Sequence, residues 1–297
     1  MYQEKEKVYG REMQVKVAVV QMDVVLGQKD ANVAKTVSKI NEAADNGAKL
    51  IVLPEMINSG YIFNTREEAV HMAEQVPGGP TVQTWEKAAR ERNVYVVAGL
   101  PEIEGSDLYN SAVLIGPDGY IGKFRKMHLW DDDKVWYEPG NLGIPVFHTP
   151  IGKIAIIICY DMWFCEMWRI AKLKGADIVC VPTNWLKIGT LPEDVQTMAP
   201  YFAMVAANTQ CMWVACADRA GEERGTIYPG RSLIVGPSGI PEGGGFCTFT
   251  EEEIRYADCN FSDSRLYNWT PHNVLFRDRR TDYYDDMLGC EDKKCPF

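Results

Sequence analysis

Short apolar runs alternate along this chain with longer stretches in which apolar residues recur every three or four positions, a rhythm that predicts strands interleaved with helices. Residues 15–21 and 50–53 read as buried strands on either side of a helix over 32–45, the order of a βαβ unit. A helix over 80–92 and a strand over 94–99 follow. Segments 111–115 and 120–124 flank Gly116-Pro-Asp-Gly119 and predict a hairpin, because proline presets the turn dihedral and glycine accepts a positive φ. Residues 146–158 hold two strands, 178–181 and 212–217 one each, with helices over 163–173 and 193–207 between them. A similar turn, Gly236-Pro-Ser-Gly239, recurs late. The pattern defines a mixed α/β class and leaves open how the sheets pack.

Three of these strands stop at residues with chemistry. The run Ile154-Ala-Ile-Ile-Ile158 ends at Cys159, with Tyr160-Asp161 and a helix directly behind it. A strand that turns sharply into a helix holds its terminal side chain clear of the sheet, as a nucleophile requires. Leu50-Ile-Val-Leu-Pro-Glu55 puts a carboxylate at a sheet edge, where partial burial raises its pKa toward that of a proton acceptor. Gly122-Lys-Phe-Arg-Lys126-Met-His-Leu-Trp130 carries an ammonium away from the strand over 120–124. Singly, each has an ordinary reading: an inert buried thiol, a solvated loop glutamate, a surface lysine.

Together the three segments resemble the carbon–nitrogen hydrolase, or nitrilase, family. Val52-Leu-Pro-Glu55 with Ser59-Gly-Tyr61 is similar to its first motif, Lys123-Phe-Arg-Lys126-Met-His-Leu to its second, and Ile158-Cys-Tyr-Asp161 with Phe164 and Glu166 to its third. Their order and separation also match, and the similarity runs over about 15–258. The resemblance implies two sheets packed face to face with helices outside, an α-β-β-α sandwich, in a domain over 15–261. It implies Glu55, Lys126 and Cys159 as the catalytic set, with no metal and no organic cofactor. Tyr61 and Asn184-Trp185 hold positions that often face substrate in this family, and Tyr160, Asp161 and Trp163 beside the nucleophile complete the expected binding set. Arg231 is a weaker candidate. The Tyr-Asp pair after Cys159 looks more like the amidase and carbamoyl-hydrolase branches than like true nitrilases.

The chain departs from the family at three positions. Many members have a second glutamate seven residues before the glycine of a Pro-Gly, where this chain has Asp133, one methylene shorter; Asp132 and Glu138 are the other carboxylates at hand. Cys165 replaces the proline usual before Glu166, and Ala207-Asn208 stands where many members have Glu-Asn.

Composition narrows the partners. A chain of 297 residues, 46% hydrophobic and 24% charged, buries a substantial core. A formal net charge of −10 argues against a nucleic-acid surface, which relies on clustered Lys and Arg; the Arg277-Asp-Arg-Arg280 cluster is interrupted and followed by acids. The start, Met1 to Lys7, lacks the apolar core of a signal peptide, and no apolar run approaches the roughly 20 residues that span a bilayer, so the expected location is the cytoplasm and no membrane partner is expected. Nine cysteines, an odd number with several in apolar runs, read as thiols, and the lone pair Cys290 and Cys295 has no histidine or second pair to make a zinc site. Residues 262–297 are rich in Tyr, Trp, Asp and Arg without a core-facing period, which predicts an extension that packs on a neighbouring subunit of a homodimer or larger homo-oligomer.

The residue types dictate a reaction. A free thiol near pKa 8.5 needs a base or a nearby cation to become a nucleophile, and Glu55 and Lys126 are those groups. Thiolate attack on a small amide or carbamoyl substrate gives a thioester that water cleaves to the acid. Two rivals remain: a papain-like pairing of Cys159 with a histidine, for which His128 is the candidate, and a binding or thiol protein that does not turn over.

Overall fold

The computed structural model describes residues 13–265 and 268–288. The expectations for the N-terminal seven residues, for Leu266 and Tyr267, and for Cys290 and Cys295 concern residues outside that set. Two compact units divide after Arg265. In the smaller, the described structure is an isolated bridge between Asn268 and Val274 and a helix over Thr281–Leu288.

The larger unit opens with β1 (Gln14–Gln21), α1 (Lys29–Asp45), β2 (Leu50–Val52), α2 (Arg66–Met72), α3 (Pro80–Arg92), β3 (Tyr95–Glu104), β4 (Asp107–Gly116), β5 (Gly119–Arg125) and the one-turn α4 (Asp133–Trp136). Then come β6 (Val146–Thr149), β7 (Gly152–Ile156), α5 (Cys165–Leu173), β8 (Ile178–Pro182), α6 (Ala199–Gln210), β9 (Trp213–Ala217), β10 (Ala220–Glu223), β11 (Thr226–Pro229), β12 (Leu233–Val235) and β13 (Glu253–Asn260). One sheet runs β13-β1-β2-β3-β4-β5, the other β12-β9-β8-β7-β6, and β10-β11 is a separate hairpin.

Alternation along each strand builds the layers. In the first sheet Val15, Val17, Val19, Leu50, Val52 and Val97 face inward and share one core with Ile154, Ile156, Val179 and Val181 of the second. The alternate residues Ala18, Val20, Ile51, Val96 and Ala98 face outward, where Ile40 and Ala43 of α1 and Val82, Trp85 and Ala89 of α3 cover them. Trp85 is fully buried, worth about 2–3 kcal/mol of apolar burial, and its indole N–H donates to Thr36 Oγ1 of α1 at 2.8 Å. Met167, Trp168 and Ala171 of α5 and Ala203 and Ala207 of α6 complete the outer layer on the second sheet. The α-β-β-α sandwich is the observed architecture.

Two expected helices differ. The stretch over 193–207 is helical only from Ala199: Pro200 has no N–H to continue a helix and favours its first turn, and residues before it are folded into turns around Pro192 and Gln196, whose φ is +56°. The stretch over 163–173 is split, because Phe164 is extended (φ −101°, ψ 108°) between a 3₁₀ turn over Cys159–Trp163 and α5.

Parallel strands align their ends. β7, β8 and β9 are parallel neighbours, with Ile156 opposite Cys180 and Pro182 opposite Ala217, so the residues following each strand emerge along one edge. β2 ends facing the same region: Glu55 N–H donates across the sandwich to the carbonyl of Thr183, just past β8, at 3.3 Å. In α/β sheets that edge is where ligands bind.

Candidate active site

Glu55 follows β2 by three residues and is fully buried, not at a sheet edge with partial exposure as the sequence suggests, because β2 is a central strand covered on both faces. Gly99 of β3 makes room for it: a Cβ there would lie 2.6 Å from Glu55 Cα. Glu55 Oε1 accepts from Lys126 Nζ at 2.8 Å and from Asn110 Nδ2 at 2.6 Å, while Oε2 has no protein partner.

Lys126 leaves β5, its backbone pinned by N–H donation to Asn110 O and by acceptance from Gly140 N–H, both at 2.8 Å. Gly140 is the other glycine that the site requires, since a Cβ would meet Arg125 O at 2.0 Å. The ammonium also donates to Asp133 Oδ2 at 2.7 Å, and the Tyr61 hydroxyl donates to the same oxygen at 3.0 Å. Burial alone would lower the Lys126 pKa, but the carboxylates of Asp133 and Glu55 raise it well above the usual lysine value, so it stays charged. Burial pushes the Glu55 carboxyl up, against the opposing pull of Lys126.

Cys159 lies three residues past β7 with φ +43°, a left-handed backbone uncommon outside glycine and costing on the order of 1 kcal/mol. Asp161 secures that turn: Oδ2 accepts from Ile158 N–H at 3.1 Å, and Oδ1 accepts from His128 N–H at 3.0 Å and lies 2.7 Å from His128 Nδ1. Burial raises the thiol pKa well above its normal value, Glu55 raises it further, and Lys126 and the backbone N–H of Asn184 oppose them. The sulfur therefore feels both the expected base and the expected cation, and at neutral pH it is a thiol.

A pocket with about 380 Å³ of empty space, partly open to solvent, is lined by Tyr61, Phe63, Trp130, Asp131, Asp133 and Trp136, among others, and so reaches the Asp133–Lys126 cluster.

Residues 16–268 match the family described as Carbon-nitrogen hydrolase. The chain belongs to the carbon-nitrogen hydrolase family. It is 40% identical over 270 residues to a nitrilase of Pyrococcus abyssi, covering 91% of this chain and 99% of that one. It is 31% identical over 283 residues to an omega-amidase of Homo sapiens, covering 91% and 96%. The fold is that of a carbon-nitrogen hydrolase from Helicobacter pylori G27, with a TM-score of 0.84 at 24% identity, over 94% of this chain and 100% of the other.

Within this carbon-nitrogen hydrolase the expected residues separate. Glu55, Lys126 and Asp133 meet in one hydrogen-bonded cluster with Tyr61, and Asn184 joins by donating from Nδ2 to Glu55 O at 2.9 Å. Asp132 lines the pocket and Glu138 is exposed, so of the three carboxylates Asp133 is the one on Lys126. Trp185 is buried with its indole N–H unpaired. Tyr160 packs edge-on against the pocket residue Trp130, with centroids 4.9 Å apart. Asp161 is held by His128 and the turn backbone, and Trp163 is 41% exposed against Phe202; neither is among the residues lining that pocket. His128 is stacked on Phe164, with centroids 3.6 Å apart, and tied to Asp161. Arg231 lies over the rings of Phe246 and Phe249. Ala207 packs in the core, and Asn208 donates to Pro237 O and Ser238 O of the late turn. Sequence reasoning missed Asn110 and Asp218. Asn110 is a polar residue inside the buried run of β4, and Asp218 ends the apolar run of β9 as Glu55 ends that of β2; both are legible signals.

Proposed function

We propose that this chain hydrolyses a small non-peptide amide with Cys159 as nucleophile, Glu55 as general base and acid, and Lys126 as the cation of the oxyanion site. What supports the reading is a single observation: one buried ammonium bridges two carboxylates beside a buried thiol whose ionisation responds to both signs of charge. Glu55, through its unpaired Oε2, takes the thiol proton as the sulfur attacks the carbonyl carbon. The tetrahedral oxyanion receives hydrogen bonds from Lys126 and the Tyr160 N–H; one such donor is worth on the order of 3 kcal/mol. Glu55 then gives its proton to the leaving nitrogen, ammonia or an amine departs, and a thioester remains. Water, deprotonated by Glu55, cleaves it to the carboxylic acid and returns the thiol. Asp133 holds Lys126 and Tyr61 in place, and Tyr61, Asn184 and Trp185 contact substrate.

Incubation with a panel of primary amides, N-carbamoyl amines and nitriles, quenched in acid and read by intact-protein mass spectrometry, tests the reading. An acyl adduct on Cys159 together with ammonia release is the expected result, and a carbamoyl adduct assigns the substrate to the ureido class instead. No adduct and no ammonia across the panel would leave a binding protein.

We also propose a homodimer or larger homo-oligomer. Ile170 and Leu173 on α5, Val205 on α6 and Met198 just before it are 39–60% exposed, an apolar set without a cover among the described residues. Light scattering at micromolar concentration should give at least twice the 33.5 kDa chain mass, and a clean monomer removes this proposal. None of the seven described cysteines is in a disulfide, which suits the reducing cytoplasm proposed as its location. Among the described residues no helix is long and apolar enough to cross a membrane.

A further inference from the structure

The hairpin of β10 and β11 belongs to neither large sheet, yet it grips the loop between β2 and α2 that holds Tyr61. Glu223, the buried last residue of β10, accepts with its Oε1 from two consecutive backbone donors, the N–H of Tyr61 at 2.9 Å and that of Ile62. Its Oε2 is paired with the buried Arg219, which is itself fixed by Asp23 Oδ1 at 3.0 Å and Val24 O at 2.7 Å and lies 4.5 Å from the centroid of the Tyr228 ring. Arg224, the next residue, donates to Ile62 O at 2.8 Å and pairs with Glu68 at 2.9 Å. Gly60 permits the close approach: its φ is +84°, and a Cβ there would lie 2.6 Å from Glu223 Oε2. From this anchored backbone the Tyr61 hydroxyl reaches Asp133 Oδ2, the oxygen that also accepts from the Lys126 ammonium, and the Tyr61 ring centroid stands 5.6 Å from Lys126 Nζ.

We infer that Glu223 is a positioning residue for the site: through the Tyr61 backbone it sets where the Tyr61 hydroxyl stands, and so how the Asp133 carboxylate is presented to Lys126. This rests on the proposed role of Lys126 and assigns a function to a carboxylate that the reaction itself does not use. A buried Arg–carboxylate pair roughly breaks even against well-packed apolar residues, so the pair is a weak source of stability. What an apolar residue could not supply is a charged acceptor for two adjacent N–H groups, whose bonds are about twice as strong as neutral ones and fix one conformation of the loop.

The consequence is local to one oxygen. Asp133 Oδ2 is clamped between a hydroxyl and an ammonium, and a displaced Tyr61 leaves Lys126 as its one side-chain donor among the described residues. Aspartate and lysine are then free to rotate together, and the ammonium loses its fixed place beside Glu55 Oε1.

The test nitrates the full-length protein with tetranitromethane and locates nitrotyrosine by peptide mass spectrometry. Glu223→Leu, which removes the acceptor, should nitrate Tyr61 roughly tenfold faster than wild type, the scale of one lost hydrogen bond. Tyr137, buried in the same apolar cluster but not bonded to Glu223, should keep its wild-type rate. Glu223→Gln keeps an oxygen for the two N–H groups, loses the pair with Arg219, and should fall between the two. Gly60→Ala, whose added methyl meets Glu223, should free Tyr61 as Glu223→Leu does, and it answers the question if Glu223→Leu does not fold. With an amide substrate, Glu223→Leu and Tyr61→Phe should each lower kcat/KM roughly tenfold, and the double variant should lose little more, because both break the same link. Wild-type nitration of Tyr61 in folded Glu223→Leu or in Gly60→Ala overturns the inference. So do equal gains at Tyr61 and Tyr137, which mark a general loosening, and losses in kcat/KM that multiply in the double variant. Because nitration reports on Tyr61 whether or not any amide is hydrolysed, inactivity toward amides would count against the proposed function and leave this result standing.

Discussion

Cys159→Ala is expected to lower kcat/KM for any amide the wild type hydrolyses by about 10⁴-fold or more, because without the sulfur no acyl-enzyme forms and only binding and the oxyanion donors remain. The fold should survive. Cys159 is 8% exposed and makes no hydrogen bond that anchors the turn, which hangs instead on Asp161 and its ties to Ile158 and His128. Alanine meets the same left-handed backbone that cysteine already occupies. Steady-state kinetics with circular dichroism as a folding control decide the matter; a well-folded variant within tenfold of wild type excludes Cys159 as the nucleophile.

Glu55→Gln should reduce kcat/KM by roughly 10²–10⁴, the range spanned by general acid–base contributions, while substrate binding changes little. The wild-type pH profile carries a second signature. Glu55 must be ionised to accept the thiol proton, and burial raises its pKa above the usual glutamate range, so activity on the acid side should begin to fall at a higher pH than an ordinary glutamate would give. That acid limb should vanish in Glu55→Gln. Stability runs the opposite way: a carboxyl whose folded pKa is raised stabilises most in acid, and its contribution is lost as pH rises through the folded pKa. The amide escapes that loss, Lys126 keeps Asp133, and the variant should therefore melt no lower than wild type at neutral pH. An unaltered acid limb in Glu55→Gln would falsify the assignment of the base.

Strands and the helix over Pro80–Arg92 could be read from the chain because their signals are local: apolar alternation, a proline at the first turn, an asparagine in the left-handed conformation at the end. Glu55, Lys126 and Cys159 were legible as a set because each ends or follows an apolar run, and the family resemblance orders them. Other features depend on partners distant in sequence. Nothing near Asp161 indicates that His128, 33 residues away, occupies its carboxylate, and nothing near Trp163 shows that it faces solvent. The late start of α6 was readable in Pro200, whose effect on the preceding turn outweighs the helix-like composition of residues 193–198. Asp218 was legible by the same rule as Glu55, a carboxylate closing an apolar strand, and was overlooked because only the fold brings its partners Thr183, Trp185 and Ser232 to it.

The proposed base and ammonium belong to one sheet, and the proposed nucleophile, the Asn184 segment and Asp218 to the other. Neither layer owns a fraction of the chemistry that it could carry alone. A fragment or a recombined chain that reproduces one sheet faithfully inherits an inert slab, and catalytic competence is a property of the seam between them, set by how closely two independently twisted surfaces come to rest.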